Sequence, residues 1–170
     1  MINECAQLEV SFASLLVLFN LSINGCKGLV CGSLTHSKSF NSLTLSNISD
    51  SGDWSTKSFQ KVEYLKVVGC EELIYLWQNE IWLEKTPIRS HGLTSLKKLC
   101  IENCQRLVSF QEVCFLPILG ELGIKNCSAL KFLPEGMKYN NVCLEHMLIK
   151  GCISLKFVVK GQLPLPLKKL

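Results

Sequence analysis

LKKLCIENCQRL, residues 96–107, is the stretch that decides how this chain folds, because it recurs. The same string, L-x-x-L-x-(I/V)-x-x-C-x-x-(L/V), is read in LFNLSINGCKGL (18–29), VEYLKVVGCEEL (62–73), LGELGIKNCSAL (119–130) and LEHMLIKGCISL (144–155), with FNSLTLSNIS (40–49) as a variant. Taking the second leucine as anchor gives Leu21, Leu43, Leu65, Leu99, Leu122, Met147 and Leu170, spaced by 22, 22, 34, 23, 25 and 23 residues. Six units are complete, and a seventh begins as LKKL at residues 167–170.

A hydrophobic string recurring at this period means a stack of short units, each unable to bury its apolar face alone. This is the signature of a leucine-rich repeat. The expected fold class is therefore α/β, a leucine-rich repeat solenoid: a curved right-handed superhelix with short parallel strands on the concave face and mostly irregular convex connections. Residues 1–170 are expected to form one array. Within each string the anchor and the apolar residue two positions later alternate with polar residues, the period of a strand with one buried face. The stretch SFASLLVLFNLSI, residues 11–23, is read as the first strand region. It is preceded by Glu4 and Glu9 rather than by Lys or Arg, so it is not a targeting segment, and it is too short and too polar to span a bilayer.

The alternation also separates the exposed positions into three columns. One runs Asn20, Ser42, Tyr64, Lys98, Glu121, His146; the next Ser22, Thr44, Lys66, Cys100, Gly123, Leu148; the third Asn24, Ser46, Val68, Glu102, Lys125, Lys150. The buried positions repeat and these do not, so the columns are the expected partner-binding face. The candidates on it are Tyr64, Lys66, Lys98, Glu102, Glu121, Lys125, His146 and Lys150. Charge sharpens this choice. The net charge is only +4, too small to indicate nucleic acid, but residues 1–85 carry 6 Lys and Arg against 9 Asp and Glu, and residues 86–170 carry 12 against 5. A partner that docks by charge should prefer the second half.

Five of the ten cysteines, Cys26, Cys70, Cys104, Cys127 and Cys152, share one position in the string. Coils about one strand spacing (~4.8 Å) apart would not forbid bridges between them. A stack of free thiols acting as small buried hydrophobes explains the pattern with no further assumption, and it favours the cytosol or nucleus over an oxidising compartment. Ile48 takes this place in the second unit, so packing rather than a hydrogen-bonded ladder must dominate there. The step from Leu65 to Leu99 is about 11 residues longer than the others and carries Trp77 and Trp82, marking an insertion at about 77–92.

Catalytic and cofactor motifs are missing from the text: no G-x-x-x-x-G-K-(S/T), no H-E-x-x-H and no G-x-S-x-G is present. His36, His91 and His146 lie in separate units, and neither Cys100/Cys104 nor Cys26/Cys31 has a second pair at zinc spacing. The expectation is a binding module, not an enzyme, with no cofactor, no metal, no nucleic acid and no membrane. Three N-glycosylation triplets, at Asn20, Asn47 and Asn126, occur as often by chance.

The irregular period, the L-x-I-x-x-C-x-x-L strings, the LP of LKFLPEGM (130–137), IYLWQNE (74–80) and LPLPLKKL (163–170) together resemble the repeat region of plant intracellular disease-resistance proteins of the nucleotide-binding, leucine-rich-repeat type, coiled-coil subgroup. That resemblance implies a role in defence and innate immunity: repeats that sense a pathogen effector or a guarded host protein, and that hold the receptor off by contacting its nucleotide-binding module. No residue here matches that module. The chain starts without a polar cap and stops inside a repeat, as expected of a fragment of a longer receptor. Two other repeat classes remain open. Substrate adaptors of ubiquitin ligases have a longer, more regular unit and an F-box, and extracellular receptors carry an L-x-G-x-I-P string, which is missing here.

Overall fold

In a computed structural model of the chain, the residues described are 1–5, 8–10, 19–27, 29–31, 41–49, 61–76, 93–110, 116–133, 143–156 and 168, with 8–10 and 29–31 described by backbone alone. The insertion at 77–92, with Trp77, Trp82 and His91, and also His36, lie outside these residues.

Six five-residue strands occupy the anchor positions: β3 (Asn20–Asn24), β5 (Ser42–Ser46), β6 (Tyr64–Val68), β7 (Lys98–Glu102), β8 (Glu121–Lys125) and β9 (His146–Lys150). Together with β1 (Ile2–Asn3) they form a seven-stranded sheet in the order β1-β3-β5-β6-β7-β8-β9, parallel throughout. Anchor meets anchor at every step: Leu21 pairs with Leu43, Leu43 with Leu65, Leu65 with Leu99, Leu99 with Leu122, and Leu122 with Met147. The long step leaves this register untouched, with Leu65 still opposite Leu99. The architecture is a solenoid of stacked coils, and no helix occurs among the described residues, so the helical half of the α/β expectation has no counterpart there.

Burial follows the strand period. The strands read exposed or half-buried at positions one, three and five, and in β3 to β8 they are buried at positions two and four. Inward residues stack column on column, Leu99 on Leu122 and Ile101 on Ile124, and continue through the leucines on either side of each string, such as Leu96 and Leu107. Ile2, Cys5, Ile149 and Cys152 are half-buried.

Three further regularities close each coil. The residue after the strand has positive φ in every one: Glu4, Gly25, Asn47, Gly69, Asn103, Asn126 and Gly151 lie between 52° and 70°. Only Gly, and Asn among side-chain-bearing residues, adopts this left-handed turn at little cost, which is why the residue before each ladder cysteine is Gly or Asn and why Glu4 stands apart. The Asn side chains are accommodated by the next coil, since a Cβ at Gly69 would collide with Asn47 Oδ1 and one at Gly151 with Asn126 Oδ1.

The cysteine then turns the chain inward, and the amide three residues on donates back to its carbonyl, as in Leu107 N–H to Cys104 O at 3.3 Å. Five residues past the cysteine a second, shorter parallel track forms. Tyr75, Ser109 and Phe132 bridge one another there, and β2 (Leu8–Val10) pairs with β4 (Leu29–Cys31) in the equivalent place.

β1 was not among the expected strands. It extends the stack upstream of residues 11–23; of that stretch, residues 20–23 lie in β3, and 11–18 lie outside the described residues. Its signal was in the text, because I-N-E-C-A-Q-L (2–8) repeats I-N-G-C-K-G-L (23–29).

The described start of the seventh unit also falls into place. Lys168 N–H donates to Glu145 O at 2.8 Å, the bond that Glu145 N–H makes to Gly120 O and Gly120 N–H to Lys97 O in preceding coils.

Candidate binding face

Parallel sheets are ordinarily covered on both faces. Among the described residues this one is packed on one face, and the outward side chains of β3 and β5 to β9 are exposed or half-buried. All eight candidates from the sequence, Tyr64 to Lys150, lie on that outward face. Strand pairing sets them in rows: Tyr64, Lys98, Glu121 and His146 abreast; Lys66, Cys100, Gly123 and Leu148 abreast; Val68, Glu102, Lys125 and Lys150 abreast.

The structure adds a pairing scheme that a list of columns could not supply. Glu102 sits between two lysines from neighbouring coils, with Lys66 Nζ and Lys125 Nζ each at 3.2 Å. Partial burial works against its charged form, but the bonds from Lys66 and Lys125 outweigh this and hold the carboxyl below its ordinary range. Lys98 Nζ meets Glu121 at 2.6 Å, and the hydrogen bond to Glu121 raises the lysine's pKa. One column beyond, Lys97 pairs with Glu63 at 2.9 Å and Lys168 with Glu145 at 2.9 Å. Lys150 has no carboxylate within ion-pair distance among the described residues.

The other end of the face is built differently. Asn20, Ser22 and Asn24 stand beside Ser42, Thr44 and Ser46, and Asn47 Nδ2 donates to Asn24 Oδ1 at 2.9 Å. Asn126 Nδ2 likewise donates to Asn103 Oδ1 at 3.0 Å. Two of the three glycosylation triplets therefore have their amide nitrogen engaged in a left-handed turn.

On the inward side the cysteines form a column of free thiols. Cys26, Cys70, Cys104 and Cys127 are buried, whereas Cys152 is half-buried, a correction to its expected burial: it lies in the coil of β9, where Ile149 is also only half-buried. Cys5, absent from the expected set, stands at the same position one coil earlier. Each Sγ donates to the carbonyl two residues before it, from 3.4 Å for Cys127 to 3.7 Å for Cys152.

Neighbouring thiols from Cys70 to Cys152 also shift one another's ionisation. At Cys104 the bond with Cys127 favours the thiolate, but the bond to Cys70 and burial outweigh it, and the pKa is pushed up to about 12. The bond from Cys104 and burial push Cys127 up as well. Cys104 and Cys127 are thereby held in their protonated form, whereas the interaction with Cys104 lowers Cys70.

Among the described residues no group of three or more His, Cys, Asp or Glu is placed to hold a metal ion, and no helix is long and apolar enough to cross a membrane. Comparison with protein-family models, with curated proteins and with solved structures finds no match for the chain.

Proposed function

We propose that this solenoid is a leucine-rich repeat region that binds protein, of the kind found in plant intracellular immune receptors, where it senses a pathogen-derived or guarded host protein and restrains a nucleotide-binding module. The observation that carries the reading is the division between faces. Inward positions keep one chemistry from coil to coil, while outward positions of the same strands pass from Asn, Ser and Thr to Tyr, Lys, Glu and His. A face that only had to be soluble has no need of ion pairs set in register across three coils, and a rigid uncovered sheet is the ordinary recognition surface of solenoids. The module acts by binding and not by catalysis, without cofactor or metal. Its free thiol column is suited to the reducing cytosol or nucleus.

Reading the transcript upstream of this region tests the assignment. A phosphate-binding loop in the same frame is the expected result; an F-box, or a secretion signal followed by L-x-G-x-I-P repeats, overturns it.

A further inference from the structure

The outward face of β7 to β9 is not uniformly charged. Its middle row there is Cys100, Gly123 and Leu148, which bears no charge, and the rows on either side are polar and mostly ionised. Gly123 has no side chain to raise the floor, and the nearest atom to the place its Cβ would occupy is Cys100 Sγ at 3.5 Å. Leu148 beside it is 50% exposed, high for a large aliphatic side chain in a strand. The result is an apolar trench running across the strands, about 10 Å from Cys100 to Leu148 at ~4.8 Å per strand, between polar rails about 13 Å apart at ~3.3 Å per residue. Lys66, in the same row on β6, closes one end by reaching to Glu102.

The rails are not equivalent along their length. At β7 and β8 their charges are matched, Lys98 with Glu121 and Glu102 with Lys125. At β9, the last strand among the described residues, they carry His146 and Lys150, on either side of Leu148, and neither has a carboxylate within ion-pair distance among the described residues. An occupant that lays an apolar side chain over Gly123 and Leu148 therefore brings its own flanking groups against two nitrogen-bearing side chains. Carboxylates fit there and ammonium groups do not.

We infer that the Cys100–Gly123–Leu148 trench is the docking site for an acidic protein segment with an apolar stripe, its carboxylates directed at Lys150 and His146. This rests on the outward face being the binding surface, and it names the partner chemistry within that reading. Added salt should weaken the contact.

The probes are three sets of short synthetic peptides: a Leu/Phe stripe flanked by Glu, the same stripe flanked by Lys, and the Glu-flanked frame with Ser in place of the stripe. Each is titrated against the full chain and against Gly123→Val, Lys150→Glu and Ser22→Arg variants. Gly123 lies in a strand without positive φ, and a Cβ at that place meets only an ordinary contact, so Gly123→Val should keep or raise the unfolding midpoint while filling the trench. The expected result is that Glu-flanked apolar peptides bind, losing about tenfold or more with Gly123→Val or Lys150→Glu and nothing with Ser22→Arg.

Preference for Lys-flanked peptides, equal binding of the Ser frame, or no binding by any set overturns the assigned occupant. Loss with Ser22→Arg but not with Gly123→Val overturns the trench and leaves the face as a binding surface. Indifference to all three variants overturns both.

Discussion

The two ends of the outward face share everything beneath them and little above. Leu21 and Ile23 in β3 are buried as Leu122 and Ile124 are in β8, and the strands pair in the same register. Yet one end presents hydroxyls and amides, and the other a lattice of ion pairs around an apolar row. In a solenoid each coil contacts only its neighbours, so stability is set by inward columns while outward positions are left to vary. The comparison teaches that function should be lost at one end of the face without cost to folding, whereas folding should be lost equally at both.

The largest effect breaks the shared part. Leu43→Ala and Leu99→Ala remove fully buried anchors from the strands on either side of β6, one in the hydroxyl-and-amide part and one in the charged part, and each should cost about 2–5 kcal/mol in a chemical unfolding experiment. Cys104→Asp, which puts an unpaired charge into the thiol column, should cost on the order of 2–4 kcal/mol. A core substitution that cost much less at one end than at the other would show that the two ends are not built alike.

Next come the turns. Gly69→Ala and Gly151→Ala force a side chain into the left-handed region, worth about 1–2 kcal/mol, and push it against the Asn of the preceding coil. Combining Gly69→Ala with Asn47→Ala should recover the collision but not the φ cost, and a double-mutant cycle on unfolding midpoints separates the two.

Thiol labelling tests the column without mutation. Cys100 and Cys152 should react first and Cys104 and Cys127 only on unfolding, because burial and thiol–thiol bonds keep the latter protonated well above neutral pH. Fast modification of Cys104 in the native chain, followed by peptide mass analysis, would contradict the packing described.

Smallest is the electrostatic difference between the ends. Reversing Lys98, Lys125 and Lys150 together should weaken an acidic partner, but folding is not left wholly unchanged, since Lys98→Glu faces Glu121 and Lys125→Glu faces Glu102. Lys150→Glu alone is the cleaner probe. Glu102→Gln should cost no more than about 1 kcal/mol, as exposed pairs do.

The sign with pH follows from the depressed carboxyl. Its contribution is complete above the ordinary value of 4.5 and is lost as pH falls through the lower folded value. A small destabilisation on acidification below that range, absent in Glu102→Gln, is the expected titration. Raising salt at neutral pH should trim the same contribution.

Much of this molecule was legible in its letters. Strand positions, their parallel stacking, the inward columns and the outward face all follow from a local alternation repeated at nearly constant spacing, and a pattern with period two commits each side chain to a face before any contact is known. The Gly or Asn before each cysteine was legible too, once the left-handed turn is seen to require it. So was β1, whose two residues are too short to signal a strand alone but sit in a copy of the neighbouring string.

What only the tertiary structure decided is which side chains meet across coils. Glu102 takes Lys66 from 36 residues upstream and Lys125 from 23 downstream, spacings that no sequence rule selects. Those pairs leave Lys150 without a carboxylate partner, and strand register alone sets Gly123 between Cys100 and Leu148. Burial is written into each coil locally, but pairing is a property of register between coils, and register is fixed only when the whole stack closes on its core.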